Sequence, residues 1–214
     1  MLIRSFAVLV FGFAAAGVSA QAAPEAFVAG RDFQLLDPPV PTADASRVEV
    51  IEVFAYGCIH CATLQPFVDS WKPKLPEGVD FSYAPLGFGG VAETFARAYF
   101  AADSLGLNER AHAELFKAIH TERRQFRSAE DITAFYADFG VKQDDFERAM
   151  RSFAVNTRMN RLKQQMPRYG VEGTPSMIVN GKYRVAMPSG SGPQGMLRIV
   201  EFLIAKEQAA LAKS

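Results

Sequence analysis

Two cysteines separated by two residues directly follow a dense apolar segment, and this arrangement limits the folds open to the chain. Residues 47–56 (RVEVIEVFAY) are rich in β-branched and aromatic side chains, which is typical of a strand buried on both faces of a sheet that helices cover. Gly57 ends this strand, and a helical pattern follows from Cys58 to about Trp71. Cys58 and Cys61 are therefore predicted to lie where a buried strand turns into a helix.

The spacing of these cysteines favours chemistry over stability. Cys58 and Cys61 are the only two cysteines among the 214 residues. A disulfide between them would close a very small loop, and the stabilisation that a disulfide gives grows with the length of the loop it closes. An inert small disulfide and half of a metal site are the alternative interpretations. Zinc needs further ligands at suitable spacing, and we expect no metal because His112 and His120 have no partner cysteine.

A helix start gives the two cysteines different roles. The free N–H groups and the positive end of the helix dipole stabilise negative charge there, and Cys58 lies nearest that end. Cys58 is therefore the predicted nucleophile, and Cys61, one turn further along, is the predicted resolving thiol. His60 is expected to stabilise the thiolate further, by charge or by a hydrogen bond.

The first residues carry the pattern of an export signal. Arg4 precedes an apolar run over residues 6–18, and small residues follow at 18–20. We expect cleavage after Ala20, with a position two or three residues further on as an alternative. An uncleaved anchor is the other interpretation, but the apolar run is shorter than the roughly 20 residues that span a bilayer.

The remaining chain predicts one α/β domain. The order of patterns is strand, helix, strand, a long helical block, hairpin and helix, and Asn180-Gly181 between two short apolar runs is a strong hairpin signal. This order indicates a helical block inserted into a small sheet. The formal net charge is zero, which argues against nucleic acid as a partner because phosphate binding needs an excess of Lys and Arg.

A second candidate site is Gly173-Thr174-Pro175, just before the first strand of the hairpin. A proline that opens a strand suits a cis peptide bond, although a trans proline in a turn is the commoner case. Next to the cysteine pair, such a loop would leave the backbone of Thr174 open to pair with an extended peptide.

These motifs together resemble the DsbA family of periplasmic thioredoxin-fold oxidases. The matching segments are Glu52-Val53-Phe54 leading into Cys58-x-His60-Cys61, KLPEGV at 74–79, GTPSM at 173–177 and VNGKY at 179–183. The resemblance implies a thioredoxin-like α/β fold with an inserted all-helical subdomain, and a cis Pro175. It also implies that newly exported, reduced proteins are the substrates, and that a DsbB-like membrane quinone reductase reoxidises the protein. We expect a periplasmic monomer without a cofactor. The expected segments are a signal peptide (1–20), an N-terminal arm with an edge strand (21–45), a first thioredoxin-like segment (46–90), the helical subdomain (91–153) and a second thioredoxin-like segment (154–214).

The chain departs from the family pattern at three positions. Ile59 replaces the usual proline after the first cysteine, and Thr174 replaces the usual valine before the cis proline. Both positions tune thiolate stability in such sites. The resemblance gives Glu52 a role in proton transfer, but Tyr83 occupies the place of the lysine that normally accompanies it. The alternative is that Glu52 is a strand residue facing solvent.

These departures leave three functional hypotheses. The first is a disulfide-donating oxidoreductase. The second is a reductase or isomerase of the same fold, which Ile59 and Thr174 would suit. The third is a secreted binding module with an inert disulfide. Phe88 and Gly173 are candidate residues of a substrate groove.

Overall fold

A computed structural model of the protein describes residues 26–213, and the predicted export signal lies outside them. The described chain contains a five-stranded sheet and seven α-helices. The strands are β1 (Gln34–Leu35), β2 (Val48–Phe54), β3 (Val79–Pro85), β4 (Ser176–Val179) and β5 (Tyr183–Ala186). The helices are α1 (Ile59–Trp71), α2 (Gly90–Ser104), α3 (Asn108–His120), α4 (Ala129–Ala137), α5 (Gln143–Met150), α6 (Phe153–Arg168) and α7 (Gly192–Leu211). Across residues 26–213, no helix combines the length and the apolar character that crossing a bilayer requires.

The sheet has the order β1-β5-β4-β2-β3, with β2 between β4 and β3. β2 pairs in parallel with β3 and antiparallel with β4, so Glu52 has Tyr83 on one side and Met177 on the other. β4 and β5 form the hairpin that Asn180-Gly181 predicts. The two-residue β1 lies at the edge, as expected of the N-terminal arm.

Side chains of β2 point alternately to the two faces of the sheet. Val48 and Val50 belong to an apolar cluster with α1 and α7, whereas Ile51 and Val53 belong to a second cluster that includes residues of α6. Successive strand residues point to opposite faces, so Glu52 shares the face of Val50, which α1 covers. The buried strand between helices confirms the predicted α/β class.

Five helices, α2 to α6, occupy the chain between β3 and β4. α4 begins with a capping box, in which the Ser128 hydroxyl accepts the Asp131 N–H and the Asp131 carboxylate accepts the Ser128 N–H. The thioredoxin-like fold with helices inserted between its strands is confirmed, while the segment boundaries at 90/91 and 153/154 stay predictions.

The active-site strand is shorter than the sequence pattern predicts. β2 ends at Phe54 rather than Tyr56, because the Cys58 N–H donates to the Ala55 carbonyl at 3.0 Å and closes a turn. The apolar character of Ala55 and Tyr56 reflects packing of this turn rather than pairing in the sheet. The turn sets the position from which α1 starts.

Candidate active site

Cys58 caps the first turn of α1. Its backbone is extended (φ −88°, ψ 113°), and its Sγ accepts a hydrogen bond from the Cys61 N–H at 3.3 Å. A serine or aspartate at this position would satisfy the same N–H group with its oxygen. The sulfur of Cys58 therefore lies where the helix dipole and a free N–H group both favour a thiolate.

The loop at Thr174 meets Cys58 from the other end of the chain. The Sγ of Cys58 lies 3.2 Å from the Thr174 carbonyl oxygen, and the Thr174–Pro175 peptide bond is cis, as the resemblance implies. Pairing of β4 with β2 brings these residues together although 116 positions separate them. Gly173 lies beside them, in a cavity of about 460 Å³ that Thr174 and Pro175 also line.

The two cysteines have opposite tendencies to ionise. The hydrogen bond from the Cys61 thiol, with further help from the Thr174 hydroxyl and the N–H groups of Cys61 and His60, lowers the pKa of Cys58 to about 5. Cys61 is fully buried, and its hydrogen bond to Cys58, followed by burial, raises its pKa. At neutral pH Cys58 is therefore a thiolate and Cys61 a thiol.

Ile59 and His60 form the exposed first turn of α1. Ile59 leaves 56% of its surface exposed. His60 lines a second cavity of about 460 Å³, with Thr63, Pro175 and Pro188. Phe88 is also exposed, after β3, but it lines neither cavity beside Pro175, so the structure does not place it in one groove with Gly173.

Glu52 lies beneath the cysteines and is fully buried. This position excludes the alternative that it faces solvent. Neither of its carboxylate oxygens has a hydrogen-bond partner among the described residues. Burial, with smaller contributions from the charges of Asp69 and Cys58, raises the pKa of Glu52 to about 8, while the charge of Lys72 opposes the shift. Glu52 is therefore protonated at neutral pH.

One face of α1 supplies polar groups near Glu52 that the sequence reasoning missed. The Gln65 side chain donates to the Tyr83 hydroxyl at 3.1 Å and to Asp69 at 2.9 Å. The Lys72 Nζ lies 5.6 Å from the centre of the Tyr83 ring. Gln65, Asp69, Lys72 and Tyr83 line a polar cavity of about 350 Å³. The sequence did carry a signal for this face, because Gln65, Asp69 and Lys72 are four and three residues apart, a spacing that places side chains on one side of a helix.

Two histidines of α3 hold the turn before Cys58. The Tyr56 hydroxyl and the His112 Nδ1 are 2.8 Å apart, and the His120 Nε2 lies 2.7 Å from the Tyr56 carbonyl oxygen. Burial lowers the pKa of His112 to about 3, so its ring is neutral. The sequence pattern predicts ordinary helix residues here, but the spacing of eight residues places both rings on one face of α3.

This geometry defines a class of protein. A thioredoxin-like sheet that carries an ionised cysteine at a helix start, a buried second cysteine and an adjacent cis-proline loop is the framework of a thiol–disulfide oxidoreductase.

Comparison with known proteins narrows the class. A family profile described as a DSBA-like thioredoxin domain matches residues 74–199. The chain is 36% identical to the thiol:disulfide interchange protein DsbA of Pseudomonas aeruginosa over 197 residues, which is 92% of each chain. It is 39% identical to the DsbA of Pseudomonas syringae pv. tomato over 194 residues, covering 91% of this chain and 90% of the relative. The chain belongs to the DsbA family.

Solved structures agree with this assignment. The crystal structure of Pseudomonas aeruginosa DsbA superimposes with a TM-score of 0.81 at 36% identity, over 88% of this chain and 97% of that one. The oxidoreductase DsbA from Xylella fastidiosa gives a TM-score of 0.79 at 33% identity, over 85% and 98%. The protein is a thiol–disulfide oxidoreductase of the disulfide-donating type.

Proposed function

We propose that Cys58 exchanges disulfides with reduced exported proteins in the periplasm, and that Cys61 is the thiol released when the mixed disulfide forms and the thiol that resolves this disulfide when the exchange runs in reverse. A substrate thiolate attacks the Cys58 sulfur of the oxidised pair, the bond between Cys58 and Cys61 breaks, and Cys61 leaves with the electron pair. A second substrate thiolate then attacks the substrate sulfur of the mixed disulfide and releases Cys58 as a thiolate. The substrate gains a disulfide, and the protein is left as a dithiol.

The observation that carries this proposal is the opposite ionisation of the two cysteines. A thiolate that is stabilised in the dithiol form is a good leaving group, and it makes the disulfide form a strong oxidant. Cys58 has this character because the Cys61 thiol, the Thr174 hydroxyl and the N–H groups of Cys61 and His60 all lower the pKa of its sulfur. Cys61 is buried, so only Cys58 is open to an incoming substrate.

Glu52 is proposed to exchange the proton of Cys61. When Cys61 leaves as a thiolate in a buried site, a nearby protonated acid can neutralise it. Glu52 holds a proton at neutral pH because burial raises its pKa to about 8. Its pKa also responds to the charge on Cys58, so the carboxyl group and the redox pair are electrostatically linked. The reverse transfer would serve reoxidation.

Donation of a disulfide leaves two electrons on the protein, which an acceptor must remove before the next cycle. We propose a DsbB-like membrane quinone reductase in this role, and a monomeric protein that meets it at the half-buried Cys58. The support is the family membership together with the predicted export signal.

A redox titration against glutathione tests the direction of electron flow. We expect a reduction potential of about −120 mV, the value known for DsbA. Ile59, in place of the usual proline, is the feature that would favour a reductase or isomerase instead, and a potential of about −270 mV, the thioredoxin value, would support that function. Thr174 acts the other way in this structure, because its hydroxyl lowers the pKa of Cys58. A pair that does not equilibrate with glutathione would indicate an inert disulfide in a binding module.

A further inference from the structure

One methionine of the described chain differs from the others in its exposure. Met187 directly follows β5 and is partly exposed to solvent. The other five described methionines are buried, namely Met150, Met159, Met166, Met177 and Met196. A methionine sulfur is oxidised only where the oxidant can reach it. Among the described residues, Met187 is therefore the thioether that a dissolved oxidant meets first.

The register of the sheet places Met187 next to the cis-proline loop. β4 and β5 are antiparallel, and the last pair of their ladder joins the residue after Pro175 to the residue before Met187. Residues one step further along two antiparallel strands remain opposite each other, so Met187 lies across from Pro175. Thr174, the residue before that proline, has its carbonyl oxygen 3.2 Å from the Sγ of Cys58. A change in the Met187 side chain therefore occurs close to the reacting sulfur.

Met187 also belongs to both cavities beside the proline. Thr174, Pro175 and Met187 line the cavity that contains Gly173 and the cavity that contains His60. Among the described residues, no carboxylate, lysine or arginine lines the second of these cavities. A polypeptide that brings its sulfur to Cys58 passes over this surface, and the apolar thioether of Met187 suits an apolar contact there.

Oxidation would reverse the polarity of that contact. A peroxide transfers one oxygen atom to the Met187 Sδ, so that an S–O bond forms and the O–O bond breaks. The thioether loses two electrons, and hydrogen peroxide leaves as water. The sulfoxide is polar and chiral, and methionine sulfoxide reductases convert it back to the thioether. A substrate that covers the sulfoxide must remove its water without supplying a hydrogen bond, which is unfavourable.

We propose that Met187 is a site of reversible oxidation by peroxides, and that its sulfoxide weakens the reaction of substrate polypeptides at Cys58. The inference rests on the proposed disulfide exchange at that cysteine. Disulfide donation would then slow when peroxide is abundant and recover when the sulfoxide is reduced.

The test begins with the disulfide form of the protein, in which neither cysteine is a free thiol. After treatment with hydrogen peroxide, mass spectrometry of proteolytic peptides should show oxygen added to Met187 at least tenfold faster than to the buried methionines. In parallel, kcat/KM for oxidation of a dithiol peptide should fall several-fold. The rate with dithiothreitol should not change, because this small dithiol does not cover Met187. Treatment with methionine sulfoxide reductases of both stereospecificities, followed by reoxidation of the cysteine pair, should restore the peptide rate.

Three variants assign the effect to one sulfur atom. Met187→Leu keeps nearly the same volume without a sulfur, so its peptide rate should withstand peroxide. Met196→Leu is the matched control, because it removes a buried methionine and should leave the peroxide effect in place. Met187→Gln has a polar side chain of similar length and should show the reduced peptide rate without any oxidant, while still reacting normally with dithiothreitol.

Oxidation of Met187 no faster than that of the buried methionines would overturn the assignment. So would a peptide rate that is unchanged by the Met187 sulfoxide, or a loss of rate that is equally large in Met187→Leu. Failure of the untreated protein to oxidise either the peptide or dithiothreitol would instead refute the disulfide exchange on which the inference rests.

Discussion

Replacing Glu52 by glutamine should change how the stability of the protein depends on pH. The two side chains have nearly the same shape, but glutamine does not ionise. Burial raises the pKa of Glu52 from 4.5 to about 8, so between these values the folded protein holds a proton that the unfolded chain releases. The contribution of this carboxyl group to stability therefore falls as pH rises through that range.

The size of the effect follows from the shift. One pKa unit corresponds to about 1.4 kcal/mol, so a fully buried Glu52 should cost the folded state about 4 kcal/mol between about pH 4.5 and pH 7.5. Glu52→Gln should match the parent protein near the lower pH and exceed its stability by several kcal/mol at the higher one. The lowered pKa of Cys58 has the opposite effect, since its contribution is present above the unfolded pKa and is lost as pH falls toward about 5. Both proteins carry Cys58, so this contribution largely cancels when their unfolding free energies are subtracted.

Urea unfolding at several pH values measures this difference. Trp71 is the only tryptophan and is buried against α7, with its indole N–H on Glu201 at 2.9 Å, so its fluorescence reports unfolding. Two results would refute the burial of an uncompensated carboxyl group at this position. One is a difference in unfolding free energy that stays constant across this pH range, and the other is a variant that is less stable than the parent at high pH.

Three further outcomes follow from the site. Cys58→Ser should abolish oxidation of a dithiol peptide, and equal turnover by this variant would exclude the mechanism. Cys61→Ser, mixed with the disulfide form of the same peptide, should accumulate the mixed disulfide that Cys61 would otherwise resolve, which non-reducing electrophoresis detects. Thr174→Val removes a hydroxyl that lowers the pKa of Cys58, so thiolate absorbance should titrate at higher pH and the reduction potential should become more negative; an unchanged titration would contradict this role. Glu207 is buried and accepts hydrogen bonds from Lys182, Asn180 and Tyr183, so Glu207→Gln should lower the unfolding free energy by roughly 1–3 kcal/mol without altering the Cys58 titration.

Local sequence patterns were sufficient to predict the main elements of the fold. The composition of residues 47–56 indicates the buried strand, and Asn180-Gly181 indicates the hairpin, whose strands Ser176–Val179 and Tyr183–Ala186 lie on either side of it in the structure. The position of Cys58 at a helix start could also be predicted, because Gly57 and the helical period after it are adjacent in the chain. Such features depend on backbone preferences over a few residues.

The environment of the cysteines was less predictable. The sequence left open whether Glu52 is solvated, since a single acid in an apolar strand does not reveal what covers it. The tertiary structure decides this, because α1 lies over that face of β2 and excludes water from the carboxyl group. The same holds for His112 and His120, whose contacts with Tyr56 span 56 and 64 positions.

The sequence by itself therefore determined the chemistry of the pair: two cysteines at a helix start after a buried strand, with a proline loop that resembles a known family. The tertiary structure decided which distant groups tune that chemistry, namely the Thr174 hydroxyl, which lowers the pKa of Cys58, and the buried carboxyl group of Glu52. The physical reason is the separation along the chain over which each kind of interaction acts. Backbone conformation and helix capping act between neighbours in the chain, whereas burial and electrostatic interaction depend on which distant segments pack together.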